Sequence, residues 1–163
     1  MRFNLVDQIT ELVPGKSLRG VKFLTLGEEY LADHFPSFPV MPGVLQLQAL
    51  VEASSWLWRA TSDFAHSVIA LREVRGAKYG MFVEPGKCLE LSTELVRVGE
   101  DGLAVFKAKG VVAGTQTVSA QLFLAAYNMP DSTASGKQAN VELVAHLRRK
   151  FEYLVGSRQP AAQ

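Results

Sequence analysis

The sequence predicts one α+β domain in which an antiparallel sheet wraps around a single long, buried helix. Residues 43–60 form an apolar stretch without proline or internal glycine, which is typical of a buried helix. After residue 68, apolar side chains alternate with polar ones, and glycine-containing turns separate the alternating segments. With 163 residues, the chain is long enough to bury the core of one such domain.

The first part of the chain supplies the elements that precede the long helix. Residues 4–13 are expected to form a short helix, because their apolar side chains recur at helical spacing and Pro14-Gly15 would end it. Residues 17–26 are rich in β-branched and aromatic side chains and predict a strand. A loop with three prolines, residues 34–43, then leads into the long helix.

The segments after the long helix predict an antiparallel meander with one buried face. Two glycine-containing turns, at 99–102 and 113–114, separate its later strands. Strands are expected within residues 68–82, 89–95, 104–108 and 118–126.

A second helix is expected at the C-terminal end. Residues 140–156 have an amphipathic pattern that begins at Asn140, a capping residue type, and ends at Gly156. Its apolar stripe must be buried against the sheet of its own chain or against a partner. The expected organisation is therefore a domain over 1–128, a linker over 129–139, a helix over 140–156 and a tail over 157–163.

Charge and composition exclude several classes of protein. Seventeen Lys and Arg residues against sixteen Asp and Glu residues give a net charge of +1, which argues against nucleic-acid binding. No stretch approaches the roughly 20 apolar residues of a membrane span, and the start of the chain is too polar for a secretory signal. Cys88 is the only cysteine, and the three histidines have no metal-ligand spacing. We expect a cytoplasmic domain without a metal site.

The proline-rich loop carries the strongest candidate for chemistry. Prolines hold the segment between His34 and Gly43 stiffly, and Gly43 lies where the buried helix begins. The first N–H groups of a helix are unpaired and carry the positive end of its dipole. A rigid loop that brings a histidine near such a helix start is suited to stabilising a developing oxyanion.

The same loop resembles a known active-site motif. The string His34-Phe35-Pro36, Pro39 and Met41-Pro42-Gly43-Val44 is similar to the motif of the 3-hydroxyacyl-acyl-carrier-protein dehydratases of fatty-acid synthesis. That family has the hot-dog fold, an antiparallel sheet wrapped around one long helix. The resemblance continues through the segment VRGAKYGMFVEPGKCLEL and covers roughly residues 4–127, so the C-terminal helix lies outside it.

The resemblance implies that water is eliminated from a 3-hydroxyacyl thioester. His34 would take the proton from C2, and the backbone N–H of Gly43 would hold the thioester carbonyl as it gains charge. An acid on the long helix, contributed by the other subunit of a dimer, would protonate the leaving hydroxyl. Phosphopantetheine arrives with the substrate, so no resident cofactor is implied. The candidate substrate-binding residues are Phe35, Pro36, Val40, Met41, Pro42, Val44 and Tyr79.

The sequence departs from the family pattern on the long helix. The acid is expected fourteen residues after His34, and that position is Gln48, whose amide cannot deliver a proton at neutral pH. Glu52 lies one turn further on, about 6 Å along the helix axis and on the same face. Glu52 is compatible with two roles: an acid that acts through a water, or a buried carboxylate paired with a base across a dimer.

Three functions therefore stay open at this point. The first is a dehydratase that uses His34 as base. The second is an acyl-binding or carrier-binding protein that keeps the pocket without efficient chemistry. The third is a thioesterase in which Glu52 orients water. The expected partners are an acyl carrier protein or a coenzyme A thioester, and a second copy of the chain. A set of cations is compatible with a basic rim for an acidic carrier or with a solvated face: Arg72, Arg75, Lys78, Arg148, Arg149 and Lys150.

Overall fold

The computed structural model describes residues 4–35, 37–100, 102–130 and 134–156. Within these ranges the chain forms one antiparallel sheet of six strands and two α-helices. The strands are β1 (Gln8–Val13), β2 (Ser17–Phe23), β3 (Val68–Tyr79), β4 (Cys88–Val98), β5 (Leu103–Val112) and β6 (Thr115–Tyr127). The helices are α1 (Gly43–Thr61) and α2 (Ala134–Val155), and a 3-10 turn spans Glu29–Leu31.

The sheet wraps around α1, as the sequence predicts. The strand order is β1-β2-β4-β5-β6-β3, and α1 packs against the inward face of the central strands. Leu50 and Leu57 of α1 are fully buried with Phe106 of β5 and Leu122 of β6. The predicted α+β class and hot-dog architecture are therefore confirmed.

The predicted helix over residues 4–13 is wrong. Residues Gln8–Val13 form β1, which pairs antiparallel with β2 through a tight turn in which the Lys16 N–H donates to the Val13 carbonyl at 3.0 Å. The apolar spacing fits a helix, but pairing with β2 supplies hydrogen bonds that a short isolated helix cannot match. Ile9 still faces the core, at 4% exposure.

The C-terminal helix begins at Ala134, inside the segment expected to be a linker. Asn140 is therefore not a cap but an interior residue of α2, and its side chain makes contacts outside the helix. Its Oδ1 accepts from Ser67 Oγ at 2.6 Å and from the Met129 N–H at 3.0 Å, and its Nδ2 donates to the Met129 carbonyl at 3.0 Å. The predicted tail lies outside the described residues.

The apolar stripe of α2 is buried within its own chain. Phe151 lies 6.0 Å from the ring of Trp56 and 5.3 Å from the ring of Phe64, and Leu154 is 6% exposed. Arg148 binds Asp63 at 3.0 Å and lies over the ring of Phe64. α2 thus covers one side of α1. Neither described helix is long and apolar enough to cross a membrane.

The two edges of the sheet differ. The β1 edge is six residues long, and α2 packs beside it. The β3 edge is twelve residues long and pairs only with β6, and most of its side chains are exposed. A long edge strand presents unpaired backbone groups that favour pairing with another chain. β3 is therefore the edge at which a second subunit can extend the sheet.

Candidate active site

His34 stands at the start of the proline loop, after the 3-10 turn. Its backbone N–H donates to the Tyr30 carbonyl at 3.1 Å. Its imidazole ring is half buried, and the ring centre lies 4.4 Å from that of Phe35. Beneath this turn, the buried Lys22 ammonium binds Glu28 at 2.7 Å and Asp7 at 3.2 Å. The ion pair between Lys22 of β2 and Glu28 therefore links β2 to the 3-10 turn that precedes the loop.

Phe35 has a backbone conformation that few non-glycine residues adopt. Its φ of +52° lies in the left-handed region, which costs roughly 1–2 kcal/mol for a residue with a Cβ. The Phe38 N–H closes the turn by donating to the Phe35 carbonyl at 2.7 Å. Such outliers cluster at functional sites, and this one directly follows His34. Pro36 lies outside the described residues.

The end of the loop is held from both sides. Met41 and Val40 are each 1% exposed, so both lie in the core of the chain rather than at its surface. The Met41 N–H donates to the Val83 carbonyl at 2.8 Å, and the Met41 carbonyl accepts from Gln46 Nε2 at 3.3 Å. These contacts fix the backbone immediately before Pro42 and the start of α1.

The N-terminus of α1 offers two backbone donors. The Pro42 carbonyl accepts from the N–H groups of Leu45 and Gln46, at 2.9 and 3.1 Å. The N–H groups of Gly43 and Val44 have no partner among the described residues. Because α1 has nineteen residues, its dipole adds positive potential at this end. The start of α1 can therefore bind a carbonyl oxygen that gains negative charge.

Tyr79 lies directly on the first residue of α1. A Cβ built at Gly43 would stand 3.1 Å from Tyr79 Cδ1 and 3.2 Å from Cε1, closer than almost all real contacts of this kind. Glycine at position 43 thus allows the Tyr79 ring to pack against the helix start. The ring is half exposed, at 51%, so it borders the site as well as the helix.

The exposed side of α1 carries Val44 and Gln48. Val44 is 68% exposed, and Gln48 one turn later is also exposed. Neither side chain makes a hydrogen bond or ion pair with the described residues. Four-residue spacing puts them on one face of α1, near Tyr79 and the open helix start. The structure therefore brings Gly43, Val44 and Tyr79 together at one end of α1, with Gln48 on the adjoining turn.

Glu52 makes contacts that Gln48 does not. Its Oε2 accepts from the Leu5 N–H at 3.0 Å, and its Oε1 accepts from Lys150 Nζ of α2 at 3.0 Å. Its side chain is only 16% exposed. Both carboxylate oxygens are therefore engaged by groups of the same chain, one before β1 and one on α2.

The predicted basic rim is split between two parts of the molecule. Arg148 and Lys150 on α2 are paired with Asp63 and Glu52, and Arg75 on β3 is paired with Glu73 at 2.6 Å. Arg72 and Lys78, both on β3, are exposed. Among the described residues, no cluster of three or more His, Cys, Asp or Glu side chains has the arrangement of a metal site.

Two features of the site were missed in the sequence. Gln46 is the first polar residue of a predominantly apolar helix, and its buried amide donates to the Met41 carbonyl and so links Met41 to α1. Its polar character within a buried helix was the available signal. The second is a set of exposed apolar side chains, Phe38, Met81 and Phe82, that adds to the predicted Phe35. The Phe38 and Phe82 rings meet edge to face at 6.2 Å.

Comparison with solved structures defines the class of the fold. The dehydratase heterocomplex ApeI:P from Xenorhabdus doucetiae aligns with a TM-score of 0.63 over 84% of this chain and 90% of that chain. At 16% identity, this likeness concerns the fold alone. The chain belongs to the FabA-like domain family, which matches residues 1–121.

Within that family, the chain is similar in sequence to the FabZ dehydratases. The 3-hydroxyacyl-[acyl-carrier-protein] dehydratase FabZ of Albidiferax ferrireducens is 40% identical over 123 residues, which cover 74% of this chain and 81% of the relative. FabZ of Myxococcus xanthus is 37% identical over 142 residues, which cover 85% of this chain and 90% of the relative. Helix α2 lies entirely after the part of the chain that the FabA-like family matches.

Proposed function

We propose that the protein is a hydro-lyase that eliminates water from 3-hydroxyacyl thioesters to give 2-enoyl thioesters. The observation that carries this proposal is the loop that joins His34 to the unpaired N–H groups of Gly43 and Val44. A base and an oxyanion site are the two groups needed to remove a proton next to a thioester carbonyl. The names of the FabZ relatives support the same reaction.

In this mechanism His34 accepts the C2 proton of the substrate. The electron pair left on C2 shifts towards the carbonyl, whose oxygen is held by the N–H of Gly43 at the positive end of α1. The C2–C3 double bond forms as the C3–O bond breaks, and the departing hydroxyl takes a proton from solvent and leaves as water. Gln48 of a second subunit donates a hydrogen bond to that hydroxyl but does not supply the proton.

The candidate substrate-binding residues divide into two groups in this proposal. Phe35, Val44 and Tyr79 are exposed around the helix start and fit direct contacts with the acyl chain or its carrier arm. Val40 and Met41 are buried behind the loop, so they support the wall of the site from within. Pro42, directly before the helix start, is a further candidate contact, and Pro36 stays a candidate from the sequence alone.

The substrate is expected on a thioester carrier, and the protein is expected to form a homodimer. The acyl group arrives on the phosphopantetheine of an acyl carrier protein or of coenzyme A, so the reaction needs no resident cofactor or metal. Exposed Arg72 and Lys78 on β3 are suited to an acidic carrier. We expect at least a homodimer that pairs through the β3 edges, in the cytoplasm. Light scattering should show a dimer at micromolar concentration.

A second candidate is an acyl-binding or carrier-binding protein without efficient chemistry. The observation that favours it is the absence of a free carboxylate on α1: position 48 is an amide, and both oxygens of Glu52 are engaged. The same engagement of Glu52 argues against a thioesterase that uses this residue to orient water.

The test is a pair of assays on the purified protein. Dehydration of 3-hydroxyacyl thioesters and hydration of 2-enoyl thioesters should both be measured over several chain lengths, on acyl carrier protein and on coenzyme A. Turnover that is absent in His34→Ala supports the dehydratase. Thioester binding without turnover in either direction supports the binding protein, and release of free thiol supports the thioesterase.

A further inference from the structure

The surface around the open start of α1 is an incomplete site that faces outwards. The N–H groups of Gly43 and Val44 have no partner among the described residues, so this surface can stabilise negative charge. The loop that leads into it starts at His34, the proposed base. What the surface lacks is a carboxyl group that can give a proton to a leaving hydroxyl. The adjoining turn of α1 carries Gln48 instead, exposed and without a carboxyl group.

Glu52 is the remaining carboxylate on α1, and it is held inside its own chain. The Leu5 N–H and the Lys150 ammonium each bind one of its oxygens at 3.0 Å. Lys150 also lies 5.5 Å from the centre of the Trp56 ring, which holds the ammonium in place. A second copy of this chain would therefore bring Gln48, and no free carboxylate from α1, to the face of the first.

The β3 edge is where we expect a partner subunit to bind. It is twelve residues long, is paired on one side only, and ends at Tyr79, which packs on Gly43. A strand added to this edge extends the sheet and brings a second hot-dog subunit towards the exposed side of α1. The chemistry that completes the site is then an acid on the helix of that subunit.

We infer that this chain is the histidine-bearing subunit of a mixed pair, whose other subunit is a hot-dog protein with a carboxylate at the position of Gln48. The pair forms along the β3 edge. In its protonated form the partner's carboxyl group gives a proton to the leaving hydroxyl and becomes a carboxylate. The inference rests on the proposed dehydratase function and names the partner which that function needs.

The experiment uses a variant of this chain as the carboxylate-bearing subunit. The wild-type chain is co-expressed with a differently tagged chain that carries His34→Ala and Gln48→Glu, and mixed pairs are isolated by two affinity steps. One site of the mixed pair then combines His34 with Glu at position 48, and its other site has neither group. The double variant alone should be inactive, because it lacks His34. The mixed pair should turn over 3-hydroxyacyl thioesters at least about 10-fold faster than the wild-type chain alone.

A matched control replaces the double variant with His34→Ala alone, and this pair should show no gain. The inference is overturned if the wild-type chain alone is as fast as the mixed pair. It is also overturned if the Gln48→Glu homodimer is active and the mixed pair is not. If all forms, including the Gln48→Glu homodimer, bind thioesters without turnover, the dehydratase function fails and the inference fails with it.

Discussion

Lys150 follows Glu52 by 98 residues in the chain, yet its ammonium lies 3.0 Å from the Glu52 carboxylate and joins α2 to α1. The Leu5 N–H binds the other oxygen of the same carboxylate, at 3.0 Å. Glu52 therefore connects three separate parts of the chain: the segment before β1, the central helix and the C-terminal helix. In the sequence alone, this residue was equally compatible with a catalytic acid.

Replacing Lys150 with Met should lower the free energy of unfolding by about 1–2 kcal/mol, because it leaves a mostly buried carboxylate with one partner. Glu52→Gln should lower it by a similar amount, since the amide oxygen can still accept from Leu5. Urea unfolding of both single variants and the double variant measures the coupling between them. Single effects that simply add in the double variant would contradict a direct interaction.

Gln48→Glu should raise dehydratase activity by roughly 10-fold or more, because it introduces a proton donor of nearly the same shape. The side chain is exposed in the single chain, so the change should not require repacking. Steady-state rates with 3-hydroxyacyl thioesters measure the gain. Glu52→Gln is the matched control on the next turn and should leave the wild-type rate intact. A small gain at position 48, together with loss of activity in Glu52→Gln, would make Glu52 the acid.

His34→Ala should abolish turnover and change the free energy of unfolding by no more than about 1 kcal/mol. The imidazole is half buried, and its main packing contact is the neighbouring Phe35 ring, so little of the core depends on it. Activity and thermal unfolding are measured on the same preparations. Unchanged activity would remove His34 from the mechanism, and a large loss of stability would assign it a structural role.

Gly43→Ala should reduce turnover about 10-fold, because its methyl group meets the Tyr79 ring and displaces the donors at the helix start. Tyr79→Ser on its own removes the obstructing ring. Combining the two changes should recover part of the activity lost in Gly43→Ala. The comparison is kcat/KM of the three variants with one substrate. Equal activity of Gly43→Ala and wild type would show that the ring moves aside freely.

The stability of the protein should fall at alkaline pH when Lys22 loses its proton. Burial alone would lower the pKa of Lys22, but hydrogen bonds and charges from Glu28 and Asp7 outweigh burial and raise the pKa above 10.5. A raised pKa in the folded state gives stability that is complete below the unfolded value and is lost as pH rises through the folded one.

The measurement for Lys22 is the urea midpoint of wild type and Lys22→Met between about pH 8 and pH 11. The midpoint difference between the two proteins should shrink above the unfolded pKa of 10.5. A constant difference across this range would mean that the ammonium charge does not matter.

The sequence predicts the parts of the fold in which the apolar residues follow one clear spacing, either helical or alternating. Residues of α1 are apolar on nearly every face, and stretches of the strands after residue 68 alternate apolar with polar side chains, so the sequence predicts both. Residues 8–13 fit a helical spacing equally well, and only their pairing with β2 makes them a strand. The start of α2 was placed too late, because Asn140 resembles a cap although its side chain holds Ser67 and Met129.

The candidate site likewise has residues that lie close together in the sequence and contacts between segments that are far apart in it. His34, Gly43 and the loop between them form a continuous motif, so the sequence alone identifies them. The bond between Glu52 and Lys150 and the packing of Tyr79 on Gly43 depend on segments that only the folded chain brings together. Charge and spacing therefore located Glu52 but did not reveal its partners.

Three residues that bind α2 through side-chain hydrogen bonds lie far back along the chain. Ser67, Asp63 and Glu52 bind it across 73, 85 and 98 residues respectively. Contacts of such long range form late in folding, and a peripheral element held by a few of them opens locally more readily than the sheet does. In native-state hydrogen exchange, α2 should therefore lose protection as a separate unit before the strands. Each local opening of α2 would separate the Glu52 carboxylate from its ammonium partner and so change the electrostatic potential beside the central helix.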